Sequence, residues 1–63
     1  MKLWVLHIVC PKVDGPGTYV VTVGLYVHHH QAQARGKELI AARMYEKHVV
    51  LNYFTKELEV IDG

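Results

Sequence analysis

The residues most able to do chemistry in this chain are one cysteine and five histidines, three of which form the run His28-His29-His30. On an extended segment, side chains two apart point the same way. His28 and His30 could therefore share a metal ion, with His7 or His48 as a third ligand for zinc. The spacing fits no standard zinc motif, and no cysteine or carboxylate stands close by in sequence. The plainer reading is a polar strand-to-helix junction with solvated imidazoles. Cys10, Thr18, Thr22 and Thr55 are possible nucleophiles, but nothing in the spacing brings a nucleophile, a base and an orienting group together. The chain is therefore expected not to be an enzyme and to carry no cofactor.

The bulk properties narrow the classes further. Sixty-three residues make one domain, taken as residues 1–63. A chain of this size buries only about 60% of the surface it exposes when unfolded, so it is marginal without help. A disulfide within the chain is excluded by the single cysteine, which is expected to act as a small buried hydrophobe. The net charge of +1 gives no basic excess for a phosphate backbone, so nucleic acid is not the expected partner. The alternative of a small nucleic-acid-binding domain rests on Tyr19, Tyr26, Tyr53 and Phe54, which lie on or near strands and could stack bases. No apolar run is long enough to span a bilayer, and the N-terminal run lacks a small-residue cleavage site. The expectation is a cytoplasmic protein with no membrane partner.

The elements that would position these residues follow from periodicity. Residues 2–10 form a strand rich in Val, Ile and Trp, apolar on both faces. Trp4, Leu6, Ile8 and Cys10 share one face; Leu3, Val5, His7 and Val9 share the other. Residues 11–17 hold two prolines and two glycines, a turn in which Pro sets φ and Gly permits positive φ. Residues 18–27 alternate as a second strand. Tyr19, Val21, Val23, Leu25 and Val27 are expected on the core face, with Thr18, Val20, Thr22, Gly24 and Tyr26 on the other. Gly24 inside the strand suggests a bulge or a close backbone approach.

From about His30 to His48 the period changes to that of a helix, with Ala32, Gly36, Leu39, Ile40 and Met44 on one face. Gly36 costs about 1 kcal/mol against Ala in a helix, which close packing on the sheet would offset. Residues 49–61 return to strand chemistry, with a turn or bulge expected near Lys56-Glu57. Phe54, Leu58 and Val60 are expected to face the helix, and Asp62-Gly63 to fray.

The result is an α+β fold, β-β-α-β, with a three-stranded antiparallel sheet of order 2-1-3 and one helix on one face. That order places the most apolar strand at the centre. It also leaves a second face, Leu3, Val5, His7, Val9, Val20 and Tyr26, that this chain has no helix to cover. An apolar face of that size marks an interaction site. The expected partner is another protein or a second copy, docked on this face or paired along a sheet edge.

The plan resembles a group of very small β-β-α-β proteins of bacteriophages and mobile elements. The resemblance rests on the opening Met1-Lys2-Leu3-Trp4-Val5, the Val23-Gly24-Leu25-Tyr26 step and the Ala-rich stretch from Gln31 to Lys47. It rests also on the acidic aliphatic close Glu57-Leu58-Glu59-Val60-Ile61-Asp62. It implies a protein that blocks a host enzyme or immune complex by surface binding, as anti-CRISPR proteins do, and it supplies no catalytic residues. The chain departs from inhibitors that mimic nucleic acid in lacking an acidic excess.

Overall fold

The computed structural model describes residues 1–61; Asp62 and Gly63, where fraying was expected, lie outside the described residues. The elements are β1 (Lys2–Pro11), β2 (Thr18–Tyr26), α1 (His29–Ala42), β3 (Met44–Tyr45), β4 (His48–Val49) and β5 (Asn52–Glu59). β1 pairs antiparallel with both β2 and β5, giving a three-stranded sheet of order β2-β1-β5. This is the α+β architecture and the 2-1-3 order that the apolarity of the first strand implied. Proline and glycine end β1 at the loop 12–17, where Gly17 adopts φ 108° and Lys12 N–H donates to the Gly17 carbonyl at 3.1 Å.

One layer of core lies between α1 and the sheet. Leu6, Ile8 and Cys10 of β1 are completely buried there, with Ala32 and Leu39 of α1 and Val50 beside them. The molecule is consequently a slab of 44 × 22 × 15 Å with a radius of gyration of 12.9 Å. A compact domain of this length would have a radius of about 10.6 Å. The excess follows from long strands covered on one side only.

Three local features differ from the sequence expectation. The helix ends at Ala42 rather than near His48, because Arg43 turns into the left-handed region at φ 63°. Its N–H caps the Leu39 carbonyl at 2.8 Å and the Ile40 carbonyl at 3.2 Å, and its own carbonyl accepts from buried Val50 at 2.9 Å. No glycine, asparagine or proline announces that stop. Residues 44–49 instead form a small hairpin, β3 with β4, around Glu46 at φ 54°.

The second difference lies in β2. Leu6 pairs with Gly24 but His7 pairs with Thr22, so Val23 is an extra residue in a bulge. The bulge expected from Gly24 is present, and it inverts the alternation after it. Tyr26 stands opposite Trp4 and packs on the core side, whereas Leu25 stands opposite Val5 and is 57% exposed. Tyr26 therefore does not belong to the open face on which it was expected, and neither Leu25 nor Val27 is core.

Third, β5 runs without a break at Lys56-Glu57, and its faces are the reverse of those expected. Ile8 pairs with Tyr53 and Leu6 with Thr55, which places Tyr53 and Thr55 toward the helix. His7 pairs with Phe54 and Leu3 with Leu58, which places Phe54 and Leu58 on the open face, 42% and 44% exposed.

Candidate functional site: the open sheet face

The register assembles the open face from three strands. β1 contributes Leu3, Val5, His7 and Val9 down the middle. β2 adds Val20 opposite Val9, Thr22 opposite His7, and Leu25 opposite Val5. β5 adds Asn52, Phe54, Lys56 and Leu58 opposite Val9, His7, Val5 and Leu3. Strands of eight residues, spaced as in any sheet, give this face roughly 400 Å² in plan. Patches of that size on a monomer are commonly functional. Two of its apolar residues, Phe54 and Leu58, and a third, Leu25, were missed by sequence reasoning. The pairing register reveals them, and the signal in the sequence was the Gly24 bulge and the polar Thr55 and Glu57 between Tyr53 and Glu59.

His7 sits at the centre of the face and is held on both sides. Its Nδ1 lies 3.0 Å from the Thr22 hydroxyl, and its ring stacks on Phe54 with centroids 4.9 Å apart. This places an oriented imidazole and an aromatic ring side by side in an otherwise aliphatic field. Lys56, opposite Val5, is the one Lys, Arg, Asp or Glu that the described strands place on this face. Among the described residues no carboxylate lies within ion-pair distance of it, whereas Lys2, on the other face of β1, bonds Glu57 at 3.0 Å. That hydrogen bond and the charges of Glu57 and Glu59 raise the Lys2 ammonium above its ordinary value.

The histidine run brings two of its three rings together and sends the third elsewhere. His28 is the residue before α1, and its side chain makes no cap. The His28 and His30 rings are stacked with centroids 5.5 Å apart, and both residues are exposed. His29 turns the other way: its ring stacks on Trp4 at 4.0 Å and its Nε2 bonds the Thr55 hydroxyl at 2.9 Å. The ligands that would complete a site are committed elsewhere, His7 to Thr22 and His48 Nδ1 to the Tyr19 hydroxyl at 2.8 Å. Among the described residues, no group of three or more His, Cys, Asp and Glu side chains is placed to hold a metal ion.

A concavity of about 290 Å³ lies at the end of α1 between Ile40, Arg43, Val49, Val50 and Leu51. Arg43 is its only charged residue, so it lacks the convergent polar groups that orient a small substrate. Cys10 is buried in the core. Among the described residues, no helix is long and apolar enough to cross a membrane. Compared with known proteins, the chain matches no family model, no curated protein and no solved structure.

Proposed function

We propose that this chain is a non-enzymatic protein-interaction module that works through the open face of its sheet. The observation that carries this reading is the run Leu3, Val5 and Val9 on the central strand, flanked by Val20, Leu25, Phe54 and Leu58, with no element of the described residues above it. A second layer on that face would complete the sandwich that the thin slab lacks. The partner's chemistry follows from Lys56. An apolar surface bearing a carboxylate would pair it, while a second copy of the same face offers no acid to do so. The reading therefore favours a foreign protein over face-to-face self-association. An inhibitor or regulator that acts by occupying a partner's surface, of the kind made by phages against host enzymes, is the biological role proposed for such a module.

The test compares capture from a lysate of the source cells by the native chain and by three variants. Val5→Glu should abolish retention of a stoichiometric partner, Lys56→Glu should weaken it, and the His28→Ala/His30→Ala pair should leave it unchanged. Circular dichroism checks that each variant folds. A partner held equally well by Val5→Glu would refute the assignment of the face.

A further inference from the structure

The two edges of the sheet are not alike. β5 is a protected edge: it carries Lys56, Glu57 and Glu59, and the Asn52 side-chain oxygen accepts the Tyr53 N–H at 2.8 Å. Charges and occupied donors of this kind block strand addition. β2, the other edge, runs Thr-Tyr-Val-Val-Thr-Val-Gly-Leu-Tyr with no charged residue and no proline. Nothing in its sequence guards it.

The hydrogen-bond pattern fixes which groups β2 presents outward. Lys12 N–H donates to the Gly17 carbonyl, so residues 12 and 17 form a bonded pair. Bonded and non-bonded pairs alternate along an antiparallel ladder. Tyr19 with Cys10 and Val21 with Ile8 are then bonded pairs, and Thr18, Val20 and Thr22 turn their N–H and C=O groups away from β1. The other side of β1 agrees. Val9, the partner of Val20, directs its carbonyl to the Leu51 N–H at 2.8 Å, on the β5 side. The outward groups of Thr18, Val20 and Thr22 lie two residues apart, before the bulge at Val23, and all three residues are exposed.

That spacing is self-complementary. We infer that β2 pairs antiparallel with β2 of a second copy about a two-fold axis at Val20, making one six-stranded sheet. Val20 then faces the second copy's Val20 as a bonded pair. Thr18 faces the second copy's Thr22, and the reverse, giving about six backbone hydrogen bonds across the axis. The cross-strand side-chain pairs are Val with Val and Thr with Thr, both favourable. A two-fold axis closes the assembly at two chains, because the remaining edges are the protected β5 strands. This inference is separate from the open face. It leaves that face uncovered and doubles it on one side of the joined sheet.

The experiment is sedimentation velocity of the full chain from low micromolar to sub-millimolar concentration. A monomer–dimer equilibrium is expected in the native chain. Val20→Pro removes only an outward N–H, so the β1–β2 ladder and the circular dichroism should survive while the dimer is lost. Should that variant fail to fold, charge pairs decide. Thr18→Lys/Thr22→Lys sets like charges opposite each other and should weaken the dimer by about tenfold or more. Thr18→Lys/Thr22→Glu sets opposite charges together and should restore it. A native chain monomeric throughout, a dimer that persists in folded Val20→Pro or in the double-lysine variant, or a dimer dissolved by Val5→Glu would overturn the pairing. The last result would move self-association to the open face.

Discussion

Gly36 of α1 lies directly against the ring of Tyr53 on β5: a Cβ built at Gly36 would come closer than 3.0 Å to three ring carbons. The contact lets the helix settle on the sheet with Tyr53 filling the space beneath it. It also explains a residue that is otherwise a poor choice for a helix interior. Replacement by alanine gains about 1 kcal/mol of helix propensity. It must also displace an aromatic ring from a packed layer, and overpacking costs about 1–3 kcal/mol. Gly36→Ala is expected to lower the midpoint of urea unfolding, and Gly36→Ala with Tyr53→Leu to recover part of the loss. A stabilised single variant would show that the ring moves aside freely.

The start of the helix is held by His29, through its stack on Trp4 and its hydrogen bond to Thr55. The residue before the helix, His28, makes no side-chain cap, so this inward contact takes over the anchoring. His29→Ala should cost about 1–2 kcal/mol by loss of one hydrogen bond and one ring contact. His28→Ala and His30→Ala should change stability by less than about 0.5 kcal/mol, as exposed positions do. Urea titrations of the three variants give the comparison.

Since the five histidines do not converge, chelation should leave the fold untouched. The melting temperature with excess EDTA is expected to equal that without it. A shift upward on adding zinc that vanishes in the His28→Ala/His30→Ala variant would reveal a site that forms only on binding.

Burial, reinforced by the nearby Cys10 thiol, pushes the Tyr19 phenol above its ordinary value of 10.0. A phenol that holds its proton longer when folded than when unfolded stabilises the fold below the unfolded value. That contribution declines as pH rises past about 10. Ultraviolet titrations of the native chain and of Tyr19→Phe should differ by one phenol that ionises above the ordinary value of 10.0. A difference component that ionised at or below 10.0 would contradict the sign.

Lys56 interrupts the apolar field on the open face, a placement that discourages association with unintended surfaces. Lys56→Met should therefore raise light scattering at high concentration without changing the circular dichroism. Equal scattering from both chains would mean that Lys56 does not guard the face.

Periodicity in the chain alone was enough for the strand–strand–helix–strand order, and the most apolar strand declared itself the centre of the sheet. Trp4, Leu6, Ile8 and Cys10 could be assigned one face and Leu3, Val5, His7 and Val9 the other because β1 alternates without interruption. The Pro-Gly loop and the cost of Gly36 were equally legible, since both are local. Tertiary structure decided what depended on register. One extra residue at Val23 reverses every side chain after it, so Tyr26 and Leu25 exchanged faces. Phe54 and Leu58 reached the open face because β5 takes its register from β1, and its own apolar residues occur on both faces. The helix stop at Arg43 had no sequence signal, because the left-handed turn is held by a hydrogen bond from Val50. Whether a histidine is a ligand or a packing residue is also a matter of what the fold sets beside it. For His7 that is Thr22 and Phe54, and for His29 it is Trp4 and Thr55, contacts that exist only once the strands are in register.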